Sequence, residues 1–313
     1  MKKLFDDFNP VSSKEWKQQI QFELKGADYN ETLIWNSPED IKVKPFYHKD
    51  EFTEVPKANT KATNFKITQN IFVHDLEKSN LRAIDSINRG AESIRFTIQD
   101  EKIEIAKLLQ NIDLEKITIY FNFNFLSIEL VKKIEVIAKE KNAKIFCNLD
   151  PIGQLAQEGN WFSTQEKNNF ETLNLLSNKT TTVSLISING GLYQNSGANM
   201  VQQIAYSLAH ANEYFNRISK INQPIVFEIS VGTNYFFEIA KLRALRLLFN
   251  LIAREYNHNF DCHILVSPTK RNKTLYDYNV NLLRTTTECM SAILGGADAI
   301  ANLPYDALYH KDN

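Results

Sequence analysis

The chain has 313 residues, 43% of them hydrophobic, which is enough for one large core or two modest ones. Its 36 Lys and Arg against 37 Asp and Glu leave a net charge of -1, so nothing marks a nucleic-acid partner or an anionic membrane surface. Three scattered cysteines (Cys147, Cys262, Cys289) make no metal-ligand spacing and read as reduced thiols; no apolar run reaches about 18 residues, and the start MKKLFDDFNP lacks a signal peptide's apolar stretch, so the expected compartment is the cytoplasm.

Ser12 and Glu15 have the spacing of a capping box, and Trp16, Ile20 and Leu24 follow at helical intervals before Gly26 stops the run. From about Ser37 to Lys66, Pro38, Pro45 and Pro56 stand among mixed charges with no sustained period, the mark of a surface linker rather than an element. The expected division is an N-terminal helical arm with its linker, 1–68, and one larger domain, 69–313. In the latter, β-branched or aromatic runs recur at Ile71–His74, Ser93–Ile98, Ile117–Phe123, Lys144–Leu149, Thr181–Ile188, Ile225–Val231, Cys262–Ser267 and Ala299–Leu303. Helical stretches lie between them, among them Ile128–Lys139, Met200–Phe215, Phe236–Tyr256 and Val280–Leu294. Eight strands alternating with helices over about 235 residues is the count of an α/β (β/α)8 TIM barrel. An open doubly wound sheet competes, but no Gly-rich turn follows the first strand. The last strand lies a few residues before Asn313, which predicts a barrel with its eighth helix truncated.

Phe236–Tyr256 carries apolar residues over more than half its circumference, so burial beneath the arm competes with burial against a partner subunit or a missing domain. Large residues on the strands (Phe121, Phe123, Phe146, Leu185, Phe227) crowd the barrel axis wherever they face inward. Arg284 and Glu288 have the spacing of an intrahelical pair, and His210 reads as a partly exposed helix residue. His74 and His263 fall on or at the ends of strands, while His48, His258 and His310 read as loop residues. No HxH, HExxH or Cys/His cluster indicates a metal site.

Chemistry in a barrel gathers at the C-terminal ends of the strands. After the fifth strand comes INGGLYQNSGANM, where Gly190 and Gly191 permit a sharp turn and Asn195 or Ser196 offers a helix cap. After the seventh comes SPTKRNKT, where Lys270, Arg271 and Lys273 form either an anion-binding loop or a solvated charged one. Asn189, Gln194 and Ser267 complete the candidate pocket.

Longer stretches carry a resemblance. ELKGADYNETLIW (Glu23–Trp35), IKVKPFY (Ile41–Tyr47) and above all Gly232–His310 make the chain similar to the methylmalonyl-CoA mutase family, most of all to the small subunits of its two-subunit bacterial members. The family isomerises methylmalonyl-CoA to succinyl-CoA by a radical route on adenosylcobalamin, with the protein excluding water and hydrogen-bonding the thioester oxygen. Catalytic members carry a histidine in a segment resembling SGYHMQEAGA; here NGGLYQNSGA places Leu192 at that position, and the loss of one such donor costs about 2.7–4 kcal/mol of transition-state stabilisation. The arm before the first strand, HKDEFTEVPKANTKATNFKI, has no arginine. The arginine expected at the start of strand six gives way near Pro224 and Ile225, and the segment resembling HCQTSG reads LVSPTK. The cobalamin signature DxHxxG is absent from the sequence. The resemblance thus implies no catalytic residue in this chain, no cofactor bound by it, and adenosylcobalamin only in a heterodimer with a catalytic large subunit. The alternatives are an active barrel enzyme on a phosphorylated or CoA-linked substrate using Lys270, Arg271 and Lys273, and a homodimeric mutase with a divergent pocket.

Overall fold

Ser12 caps the first helix, α1 (Ser13–Glu23): its Oγ accepts from Glu15 N at 3.2 Å while Glu15 Oε2 accepts from Ser12 N at 2.8 Å, the reciprocal box expected from the sequence. The computed structural model describes residues 4–309 apart from Asp6, Val55, Pro56, Asn59 and Lys61, so the readings of Pro56 and His310 lie outside the described residues. The chain divides into Met1–Lys57 and Ala58–Asn313. In the first unit, Asp28 caps α2 (Tyr29–Leu33), and β1 (Trp35–Asn36) pairs antiparallel with β2 (Lys42–Val43). The stretch from Ser37, expected to hold no element, therefore contains half a hairpin and a 3-10 turn at Lys49–Glu51. Local turn chemistry makes the hairpin: Ser37 N donates to Ile41 O at 3.0 Å, and Asp40 takes a left-handed φ of 63°.

The second unit runs β3 (Lys66–Phe72), α3 (Leu76–Asn88), β4 (Ser93–Ile98), α4 (Ile105–Leu108), β5 (Thr118–Phe123), α5 (Ile128–Glu140) and β6 (Ile145–Leu149). It continues through α6 (Pro151–Glu158), α7 (Glu166–Lys179), β7 (Ser184–Asn189), α8 (Gly190–Asn195), α9 (Met200–Arg217), β8 (Val226–Val231), α10 (Tyr235–Glu255), β9 (His263–Pro268), α11 (Tyr278–Gly295) and β10 (Ala299–Ile300). All neighbouring strands are parallel and close in the order β10-β3-β4-β5-β6-β7-β8-β9, the (β/α)8 barrel that the sequence pattern predicts. Beyond β10 the described residues are loop and turn.

Strand faces separate two cores. Ile94, Phe96, Ile119, Phe121, Phe123, Cys147, Leu185 and Phe227 belong to the larger core that the helices complete, whereas Tyr120, Phe146, Val226, Leu265, Ala299 and Ala301 form a second cluster along the axis. Of the residues expected to crowd the axis, Phe146 alone does so. Its ring stacks on Tyr120 (centroids 4.9 Å apart) and on His263 (4.4 Å), and Tyr120 OH meets His263 Nε2 at 2.7 Å.

The barrel closes through a two-residue strand reinforced by Asp298. Its carbonyl accepts from Lys66 N at 3.0 Å and its amide donates to Ile264 O at 2.9 Å. Its Oδ2 accepts from Ile264 N at 2.7 Å and from Arg246 Nη2 at 2.8 Å. Arg246 comes from α10, whose polarity is not what its composition suggests. The buried face of that helix holds Glu238, Lys241 and Arg246 beside Leu242, Leu245 and Phe249, while Phe236 and Leu251 are exposed. Against it packs the last residue of α11, Gly295, where a Cβ would lie 2.7 Å from Leu242 Cδ1; the two helices meet that closely only because the side chain is absent.

Candidate functional site

A polar crossbar spans the axis above the aromatic stack. Arg95 of β4 donates through Nε to Asn70 Oδ1 of β3 at 2.8 Å and through Nη1 to Glu228 Oε2 of β8 at 2.8 Å. Asn148 of β6 donates to Glu228 Oε1 at 2.9 Å and to Asn122 Oδ1 of β5 at 2.8 Å. Five strands are thereby tied across the barrel, and both oxygens of Glu228 are engaged. Above the crossbar, at the C-terminal ends of the strands, opens a cavity of about 500 Å³ lined by Asn122, Asn148, Asp150, Glu158, Asn189 and Glu228 among others. Three carboxylates and several amides make up its polar wall, and no lysine, arginine or histidine is among the residues lining it.

Asp150 follows β6 directly and caps α6 by accepting from Gly153 N at 2.9 Å. The same carboxylate accepts from Tyr214 OH at 2.6 Å and from Asn189 N at 2.8 Å, so it joins α6, α9 and the start of α8. His210 Nε2 lies 2.9 Å from Asp150 Oδ1, though it is poorly aligned for a hydrogen bond. Burial opposes the charge on Asp150, yet His210, the Tyr214 hydroxyl and the Asn189 amide hold its carboxyl below the usual range. His210 Nδ1 meets Tyr193 OH at 3.0 Å, and burial, with Asp150 nearby, pushes that phenol up to about 12. A phenol held there is no base at neutral pH; the chain Tyr193–His210–Asp150 orients helices. His210 is buried, not partly exposed as its place in the sequence suggests, because its partner lies sixty positions earlier.

The residues singled out from the sequence fall into two groups. Asn189 lines the cavity and caps α8, accepting from Leu192 N at 3.2 Å. Gly190 and Gly191 open that helix where Cβ atoms would lie 2.6 Å from Ile229 Cδ1 and 2.7 Å from Ser230 Oγ. Leu192 is half-buried on α8. Asn195 and Ser196 end α8 instead of capping α9; that cap is Asn199, in a box with Gln202. Gln194 is buried, and its backbone carbonyl accepts from Arg271 Nη1 at 2.9 Å. Ser267 sits on β9 beside Ser230.

The basic loop does not gather its cations. Lys273 is buried against Glu288 at 2.7 Å, Arg271 is turned to Gln194, and Lys270 is exposed. Burial pushes the Glu288 carboxyl up and the Lys273 ammonium down, each opposed by the other's charge. Glu288 therefore pairs with Lys273 and Asn272, while Arg284 donates to the Asn272 carbonyl; the intrahelical Arg284–Glu288 pair expected from spacing is not formed. Asp150, Glu228, Arg95 and Asn148 were not singled out from the sequence. For Arg95, Asn148 and Glu228 the signal was a charged or amide residue inside an otherwise apolar strand, as in SIRFTI, IFCNL and VFEISV, and for Asp150 a carboxylate directly after such a strand.

No histidine or cysteine is among the residues lining the cavity. Among the described residues no group of three or more His, Cys, Asp or Glu is placed to hold a metal ion, and no helix is long and apolar enough to cross a membrane.

Comparison with known proteins agrees with the resemblance. The family model described as Methylmalonyl-CoA mutase matches residues 97–311. The methylmalonyl-CoA mutase small subunit of Porphyromonas gingivalis is 28% identical over 99% of this chain and 56% of its own length. The Rhizobium meliloti mutase is 23% identical over 94% of this chain and 49% of its own, and the human mitochondrial enzyme 24% over 93% and 47%. The chain thus spans about half the length of the curated relatives it matches. It belongs to the methylmalonyl-CoA mutase family.

Proposed function

We propose that this chain is the small subunit of a two-subunit, adenosylcobalamin-dependent methylmalonyl-CoA mutase, that it performs no chemistry itself, and that it supports a catalytic large subunit in the cytoplasm. The observation that carries the reading is the cavity wall. Methylmalonyl-CoA brings a carboxylate and phosphates, and at the place where a barrel binds its substrate the lining holds Asp150, Glu158 and Glu228 but no cation, while Arg95 beneath them is already held by Glu228 and Asn70. The crossbar of Arg95, Glu228 and Asn148 lies across the axis beneath that wall, where an acyl chain entering along the barrel has to pass. Leu192 offers no donor to a thioester oxygen. The name of the Porphyromonas gingivalis relative supports the same reading. The alternative of a phosphate-binding enzyme loses support because Lys273 is consumed by Glu288 and Arg271 by Gln194.

The expected result is that the purified chain, given adenosylcobalamin and methylmalonyl-CoA, forms no succinyl-CoA above a heat-inactivated control. Addition of the large subunit yields a stable complex in which isomerisation proceeds. Succinyl-CoA formed by this chain alone, and abolished by blocking its cavity, would sink the proposal.

A further inference from the structure

The outer face of α11 separates this helix from the others around the barrel. Its two charged residues, Arg284 and Glu288, are both turned inward, to the Asn272 carbonyl and to Lys273. On the outside stand Leu283, Thr287, Met290 and Leu294, spaced i, i+4, i+7, i+11 along one line and all exposed, with the uncharged Asn279, Leu282 and Thr286 exposed beside them. The loop before the helix extends the same surface with Leu275 and Tyr276, and Tyr278 opens the helix beside them. Other outer helices also expose apolar residues, but among charges: Leu81 on α3 stands with Lys78, Arg82 and Asp85, Val136 on α5 with Lys132, Lys133 and Glu140, and Leu248 and Leu251 on α10 with Arg254 and Glu255.

We infer that the Leu283–Met290–Leu294 face of α11, with Leu275, Tyr276 and Tyr278, is the surface on which this chain binds its large subunit. The inference rests on the subunit reading above and adds where the two chains meet. Area supports a protein partner. These six side chains are between 40% and 102% exposed, and with roughly 200 Å² for a large side chain in the open they present roughly 700 Å², close to the ~800 Å² each partner gives to a standard interface. Chemistry supports a permanent one. Charge is depleted from the centre of such interfaces while aromatic residues and methionine are enriched there, as Tyr276, Tyr278 and Met290 are here, and a lipid surface would call for lysine or arginine on the same helix face, where there is none. The complementary surface on the large subunit is then itself apolar and uncharged.

The test is the affinity of the intact chain for the large subunit, measured beside circular dichroism and the thermal midpoint of each variant. Leu283→Glu/Met290→Glu is expected to weaken binding by about a hundred-fold, and Met290→Lys alone by about ten-fold, with the fold unchanged. Leu81→Glu on α3 serves as the control and is expected to stay within about three-fold of the parent. Unchanged affinity in both folded α11 variants overturns the surface and leaves the subunit reading standing. Failure of the parent chain to bind the large subunit at all overturns the subunit reading itself. Loss of self-association alone, with large-subunit binding intact, assigns the face to a second copy and also overturns the inference.

Discussion

Replacing Lys241 by methionine is expected to lower the free energy of unfolding by about 3–5 kcal/mol, the cost of stranding a buried charge. Lys241 Nζ lies 2.6 Å from Glu238 Oε2, 2.9 Å from Gln203 Oε1 and 2.7 Å from the Ser230 carbonyl. Burial pushes its ammonium down, with Glu238 opposing. Glu238 is fully buried, and its other oxygen accepts from Gly232 N at 2.7 Å, so the loss of Lys241 leaves a carboxylate that neither water nor another cation reaches. The double variant Lys241→Met/Glu238→Gln removes both charges but keeps an acceptor for Gly232, and should recover most of the loss. Urea unfolding decides the matter. A single variant within about 1 kcal/mol of the parent, or a double variant no better than the single, would show that the pair does not stabilise the turn from β8 into α10.

The second large effect is on acid stability. Burial pushes the His263 imidazole from 6.5 down to about 4, with Asp298 opposing and Lys144 and Arg246 adding to the fall. Between those values the unfolded chain binds a proton at this position and the folded one does not. Stability therefore falls as the pH drops through that window, by up to roughly 3 kcal/mol for this one group, and is restored as the pH rises towards 7. His263→Phe keeps an aromatic ring in the stack with Tyr120 and Phe146 and removes the proton site. Its stability at neutral pH is expected to be lower, since the Tyr120 hydroxyl loses its partner, but its pH slope between 6.5 and 4.5 should be flatter. Parallel slopes for parent and variant would mean that the acid sensitivity arises elsewhere.

Strand positions were legible in the sequence because every strand is a short β-branched or aromatic run between polar breaks. Which face of each strand meets the axis was not legible. Parallel barrel strands are covered on both faces, so the alternation that marks an inner face in a half-exposed sheet is missing. ITIYFNF shows this: Tyr120 enters the axis and Phe121 the helix-packed core, although either ring is apolar enough for both. The candidate site was less legible still, because its partners are distant in sequence. Asp150 meets His210, Arg95 meets Glu228, and Lys273 displaces Arg284 at Glu288, none of which local spacing encodes. The helix α10 misled in another way, since a count of apolar residues did not reveal that Glu238, Lys241 and Arg246 lie on its buried face. Leu192, by contrast, stands on α8 directly after β7, as its place behind a strand-like run in the sequence suggests.

The closing strand has a consequence for local motion. Seven strands of five to seven residues are joined into a ring by the pair Ala299–Ile300, and the anchor beside it is the Asp298 carboxylate with its Arg246 and Ile264 partners. Opening at that seam breaks only the two-residue ladders of β10, and the Arg246–Asp298 contact opposes it. Each opening bares the free edges of β3 and β9, whose unpaired amides and carbonyls are a template for another strand. The Arg246–Asp298 contact thus acts as a guard against intermolecular β-pairing, a duty separate from its share of the folding free energy.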